Sequence, residues 1–242
     1  MIDTMIVFGA GCYAHHHASG LLKGRERGRT RFRRLLLVSR TGGGIVRERL
    51  AGAPGVEFAA AEWREFLGRY FGEGLHHPSD HFVPTPYAPH LFLDWIVADL
   101  SRRPSLEVTR GRLEERFGLP YEHHAAEGHA YYSFAGWTCP ITCIEPDLCP
   151  AIRAPKHWDM ERFFHEVGPS RGWTGVEVLK SVHHAWGIST LPAARVLDAR
   201  DHILTAATGR FLVATTSSCH AAAGLVEVRP RADAGAARPA SR

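Results

Sequence analysis

The stretch Ile6 to Gly11 reads IVFGAG, a continuous apolar run that ends in a glycine-rich turn and leads into helix-compatible sequence as far as Lys23. A run without polar alternation belongs to a strand covered on both faces, as in a parallel sheet. Gly9-Ala10-Gly11-Cys12-Tyr13-Ala14 matches G-x-G-x-x-A directly after that strand. The first glycine permits a tight turn, the second lets a pyrophosphate approach the backbone, and Ala14 allows the helix to pack closely on the strand. The helix N-terminus adds unsatisfied N–H donors and a positive dipole. Strand, turn and helix together point to a dinucleotide held at Gly9, Gly11, Cys12, Tyr13 and Ala14. The other reading is a turn of the same shape that has no ligand.

The rest of the chain repeats the alternation. Apolar strands are expected at Arg33 to Arg40, near Val56, at His81 to Pro86, Ala130 to Trp137, Val176 to His183 and Phe211 to Thr216. Helices are expected at Ala61 to Phe71, Pro89 to Leu100 and Pro192 to Arg200. Strands alternating with helices predict an α/β fold, a doubly wound, mostly parallel, Rossmann-like sheet. The expected organisation is one domain over residues 1–228 with a cysteine-rich insertion around 137–155. A basic tail over residues 229–242, rich in Ala, Pro and Arg, is expected to be disordered. No apolar run approaches the roughly 20 residues that span a bilayer, so no membrane partner is expected. The start MIDTMIVF lacks a basic leader, which makes cytoplasm the expected location and reduced thiols the expected state. Lys23 to Arg34 carries seven cations against one Glu, no nucleic-acid motif with interleaved aromatics accompanies it, and it reads as solvated surface rather than a nucleic-acid site. Self-association stays open.

The second strand ends Val38-Ser39-Arg40-Thr41, with no carboxylate to take a ribose 2′-OH. Ser39 and Arg40 suit a 2′-phosphate, so NADP is expected ahead of NAD, with a purely superficial Arg40 as the alternative. GAGCYAHHHASGLL resembles the opening of the glucose-fructose oxidoreductase type of dehydrogenase, with His17-Ala18 as its His-Ala pair. Thr85-Pro86-Tyr87-Ala88-Pro89-His90 similarly resembles that family's TPxxxH, a turn that lies against the dinucleotide. The resemblance covers about the first 100 residues and implies cofactor contacts at Thr85, Pro86 and His90. The family's Glu-Lys-Pro, source of its catalytic Lys, is absent, and the chain is short for its substrate-binding sheet domain.

WTCPITCIEPDLCP, from Trp137 to Pro150, crowds three of the five cysteines into eleven residues. The segment follows an expected parallel strand, and Cys219-His220 follows another, so both should reach the sheet edge where ligands of open α/β sheets bind. Cys139, Cys143, Cys149 and Cys219 then read as ligands of one iron–sulfur cluster or Zn²⁺, or as reduced core thiols. Cys12 reads as a small turn residue, and Glu145 and Asp147 as solvated loop carboxylates. Three consecutive residues His15 to His17 point in three directions on a helix and cannot chelate together. His76-His77-Pro78-Ser79-Asp80-His81 has the residue types of a dinuclear hydrolase loop, but without its second half. His184, at a strand end, is the expected proton donor. Two functions follow: an NADP-dependent oxidoreductase acting on a small molecule or redox partner, or a non-catalytic redox or metal sensor or cluster carrier on the same fold.

Overall fold

The computed structural model describes residues 1–85, 88 and 90–232. In chain order the elements are β1 (Ile2–Phe8), α1 (Cys12–Glu26), β2 (Phe32–Ser39), α2 (Ile45–Leu50), β3 (Val56–Ala60), α3 (Trp63–Gly72), β4 (His81–Val83) and α4 (Leu91–Leu100). There follow β5 (Leu106–Gly111), β6 (Tyr121–His124), β7 (Ala130–Ser133), β8 (Leu148–Cys149), β9 (Ala154–Pro155) and α5 (Met160–Val167). The chain ends with β10 (Gly175–Lys180), β11 (Val182–Ala185), β12 (Ile188–Pro192), α6 (Ala193–Ala206), β13 (Gly209–Thr216) and β14 (His220–Pro230). No helix among the described residues is long and apolar enough to cross a membrane.

The class is mixed α/β, as expected, but the strands form two six-stranded sheets and a two-stranded β8–β9 ribbon rather than one sheet. The first has the order β11-β12-β4-β1-β2-β3, with β4, β1, β2 and β3 parallel and β12 and β11 antiparallel. The second has the order β10-β13-β14-β7-β6, with β5 also on β14, and only its β10–β13 pair is parallel. Alternation along β1 shows how the layers are built. Met5 and Val7 enter one core with Ala14, Ala18, Leu21 and Leu22 of α1, at the spacing of one helical face. Ile6 and Phe8 enter a second core with α3, α4 and α6. The far side of that second core is the other sheet, through Phe211 and Val213 of β13 and Val226 and Val228 of β14. A third core lies beyond, under α5, with Leu212, Leu225, Tyr132 and Phe164.

Three strand assignments differ from expectation. The run Val176 to His183 divides at Ser181 into β10 of the second sheet and β11 of the first. Both Ser181 N–H and Oγ donate to Thr216 O, at 2.8 and 2.9 Å, and fix the crossing. β7 is antiparallel to both neighbours. The longest strand, β14, was not anticipated: Ala221 to Gly224 is poor in β-branched residues. Those small residues make room, since a Cβ on Gly224 would lie 2.6 Å from Leu93 of α4. β14 also passes the expected boundary at 228, with Arg229 opposite Glu107 and Pro230 opposite Leu106. The remainder of the expected tail, 233–242, lies outside the described residues.

Asp80 ties the first sheet together. It is 1% exposed, accepting from the backbone N–H of Thr4 and His77, each at 2.9 Å, and from the Tyr70 hydroxyl. Its carbonyl accepts from Ala193 N–H, where α6 begins. Burial, together with that carboxylate, raises the Tyr70 phenol pKa, so the hydroxyl remains a donor. The His76–His81 segment is thus organised around a structural carboxylate. Asp80→Ala strands three donors at a buried site and should destabilise the fold by about 3 kcal/mol or more, as read from the denaturant midpoint.

Candidate cofactor cleft and thiol loop

Gly9 has φ of +118°, a region that favours glycine, and its N–H donates to Val38 O at 2.8 Å. A Cβ there would sit 3.3 Å from the Ala14 Cβ, so the first and last positions of the motif do pack together. Above Gly11 nothing lies within 4 Å, and α1 starts with neither a side-chain cap nor an acidic residue in its first turn. An uncapped helix N-terminus beneath open space is a site for an anion. Cys12 and Tyr13 are exposed beside it.

A second glycine run, Gly42 to Gly44, turns back against the first. Gly42 N–H donates to Ser39 Oγ at 3.1 Å, and a Cβ on Gly44 would lie 2.8 Å from Ala10 O. Gly9 and Ala10 of the first turn, Ser39, Arg40 and Thr41 at the end of β2, and Glu62 and Trp63 line a cavity of about 370 Å³. Arg40 Nε lies 3.3 Å from Glu62 Oε1, both side chains exposed. A carboxylate therefore does reach this corner, from the start of α3 rather than the end of β2.

Between the sheets lies a cleft of about 480 Å³. Tyr13 and His17 of α1, Thr85 after β4, Ser181 after β10, Thr216 of β13 and His220 of β14 line it. Thr216 Oγ1 is buried without a hydrogen-bond partner among the described residues. Burial, then neighbouring His16, pushes the His17 pKa down to about 4. Burial also lowers that of His220, against the pull of Glu145. Both imidazoles are thereby neutral at pH 7, and the cleft is a mostly apolar surface set with a few hydroxyls and without formal charge. His220 also borders a neighbouring cavity of about 470 Å³ that contains Trp137, Thr138 and Cys139.

The cysteine segment reaches this edge by an antiparallel ladder rather than a parallel strand. Ser133, at the end of β7, pairs with His220, so the loop that follows starts beside the 217–219 turn. Glu145, at φ +51°, fastens it there: its carboxylate accepts from Ser217 Oγ at 2.5 Å and from Ser218 N–H at 2.7 Å. Lys156 Nζ donates to Glu145 O at 2.7 Å. On the other flank, a Cβ on Gly187 would come within 2.3 Å of Ile141 O, so only glycine admits the loop against the β11–β12 turn.

Cys139 and Cys143 are half-buried, and Cys149 and Cys219 buried. Burial, then Cys143 and also Cys149, raises the Cys139 pKa. Burial pushes Cys219 up to about 11, with Cys139 adding to it, while Trp158 Nε1 donates to its Sγ at 3.3 Å. Cys139 thus has Cys143, Cys149 and Cys219 as neighbours, and burial keeps the Cys139 and Cys219 thiols protonated at neutral pH. Among the described residues no three His, Cys, Asp or Glu side chains stand so as to hold a metal ion.

Two expected site residues lie elsewhere. His184 sits on β11 with Nε2 2.7 Å from Thr190 Oγ1, a hydroxyl it shares with His81 Nδ1 at 2.8 Å, and it does not line the cleft. His90 packs against His129, with ring centroids 3.8 Å apart and planes tilted by 41°, in an adjoining groove. Pro86 lies outside the described residues. Glu145, expected as a solvated loop carboxylate, is instead the anchor of the loop, bound to Ser217 and Ser218, and His220 was visible in the sequence only as the neighbour of Cys219.

Residues 92–229 match the model of a family described as "Uncharacterized protein, C-terminal domain", a span that runs from α4 into β14. No curated protein and no solved structure matches the chain. Glu145→Ala should loosen the thiol loop by about 1–2 kcal/mol, enough to speed iodoacetamide modification of Cys139 and Cys143 by about tenfold, as followed by mass spectrometry.

Proposed function

The chain belongs to the family whose model spans its residues 92–229, and we propose that it is a nicotinamide-dinucleotide-binding oxidoreductase, with NADP preferred. The observation that carries this reading is the open space over Gly11, at the α1 N-terminus, beside the cavity lined by Gly9, Ala10 and the end of β2. The parallel order β4-β1-β2-β3, with α1 and α2 on one face and α3 and α4 on the other, supports a Rossmann-like, doubly wound first sheet. The α1 N-terminus would take the pyrophosphate, Ser39 and Arg40 the 2′-phosphate, and the Thr85 side of the cleft the redox end. The cofactor supplies hydride; the chain's own contribution is to bind, orient and move a proton. His220 is the residue placed for that proton in the cleft, with a small molecule or redox partner as substrate. A cytoplasmic setting, where the thiols stay reduced, goes with this reading.

The gathered thiols favour a second reading, a redox or metal sensor or cluster carrier. As they stand they do not close on a metal ion, and the oxidoreductase reading runs no step through one. An iron–sulfur cluster or Zn²⁺ would require the loop to draw Cys139, Cys143, Cys149 and Cys219 together. Metal analysis and an absorption spectrum of anaerobically purified protein decide this, with Cys→Ser at any of the four expected to lower metal content and Cys12→Ser to leave it unchanged.

Arg40→Ala should cost NADPH about 1–3 kcal/mol more than NADH in a fluorescence titration, while Glu62→Gln, by releasing Arg40, should favour NADPH. Equal losses for the two cofactors with Arg40→Ala would remove the 2′-phosphate role. His220→Gln should lower turnover by about 10²–10⁴-fold with NADPH affinity retained, and His184→Gln should not.

A further inference from the structure

A larger cavity, about 850 Å³, opens between the N-terminal turns of α3 and α4 and the strands β5 to β7. Its walls carry four carboxylates, Glu62, Glu65, Asp94 and Glu127, and two guanidinium groups, Arg64 and Arg110. Both guanidinium groups are engaged by Asp94, Arg64 at 2.5 Å and Arg110 at 2.8 Å, and Glu62 faces Arg40. Glu65 and Glu127 have no cationic partner among the described residues. Formal charge on the walls is therefore net negative.

The aromatic lining gives a second, independent pointer. His90 is 7% exposed, and its Nε2 has no hydrogen-bond partner; the same is true of His129 Nδ1 beside it. Burial, then His129 and Arg110, pushes the His90 pKa down to about 3, and burial lowers that of His129. These rings are uncharged at neutral pH, and a neutral imidazole keeps one ring nitrogen as an acceptor. Trp63 and Tyr131 add π-faces that attract a cation.

We propose that this groove binds an organic cation, a primary amine or diamine, with its ammonium donating to His90 and facing Glu65 and Glu127 and its methylenes along Trp63 and Tyr131. An extended organic cation suits these walls better than a metal ion, because no three potential metal donors among the described residues are arranged to hold one. The groove adjoins the cleft assigned to the cofactor's redox end at Tyr131 and the cavity assigned to the 2′-phosphate at Glu62 and Trp63. His90, Glu65 and Glu127 line neither, and the inference does not depend on that assignment.

Calorimetric titration of the full chain with 1,4-diaminobutane tests it, with 1,4-butanediol as the uncharged match. The diamine should bind saturably, more weakly at high salt, and the diol should not. Glu65→Gln with Glu127→Gln, both exposed and outside the cores, should weaken the diamine by about tenfold, the equivalent of 1.4 kcal/mol. His90→Leu should abolish binding, with circular dichroism reporting whether that variant folds. No saturable diamine binding, equal binding of the diol, unchanged affinity in the double Gln variant, or saturable Zn²⁺ binding that displaces the diamine would each overturn the proposal. NADPH titrated into the double variant should bind as to the unaltered chain, and a parallel loss would place both ligands in one site and overturn it too.

Discussion

Helix α4, LFLDWIVADL, is apolar around nearly its whole circumference, and the architecture follows from the need to bury all of it. Leu91, Phe92, Leu93, Trp95, Ile96 and Leu100 are each no more than 4% exposed. A helix lying on a single sheet hides one stripe and wets the rest. This one is covered on both sides, by Phe82 of the first sheet and by β13 and β14 of the second. Its carboxylates are managed at the margins: Asp99 pairs with Arg200 of α6 at 2.9 Å, and Asp94 takes Arg64 and Arg110. Burial of the apolar side chains supplies the free energy at roughly 25 cal/mol per Å², and the ion pairs fix how the middle layer seats.

Two sheets sharing one helical layer place their ends side by side. The glycine turn and Thr85 come from the first sheet, Ser181, Thr216 and His220 from the second, and the thiol loop closes over the junction. The hairpin β11–β12 returns from the second half of the chain to the first sheet, and its Gly187 turn supports that loop. Charge is distributed unevenly along this line. The cleft is mostly apolar, with a few hydroxyls and neutral imidazoles, whereas the groove beyond Tyr131 carries carboxylates in excess. One face of the molecule thus offers two electrostatically different environments within a single framework.

The glycine motif was legible because its demands are local: a strand, φ > 0 at Gly9 and a small residue at Ala14 are all properties of nine consecutive residues. Arg40 was legible for the same reason, being the residue after β2, but its neighbour Glu62 was not, because it arrives from across β3. His184 was chosen on the premise of one strand over Val176 to His183. The break at Ser181 moved it to a hairpin and left His220 in the cleft. Cys139 comes to lie beside Cys219 although β7 is antiparallel, since the Ser133–His220 register brings the two segments to the same edge. Asp80 stood in the sequence only within a histidine segment that lacks the second half of a metal site, and its structural role rests on donors from Thr4, Tyr70 and His77 that a linear reading does not bring together.

By itself, then, the sequence determined those features that depend on periodicity and steric need within one segment: the α/β class, the turn after β1, the cysteine crowding and the buried character of α4. The tertiary structure alone decided what depends on pairing between distant segments. It divided the strands between two sheets, extended the Ala-rich β14 to eleven residues, and placed His220 and Glu145 at the thiol loop. Strand direction and sheet membership are set by which backbone edges meet after collapse, and a single segment carries no record of its partner.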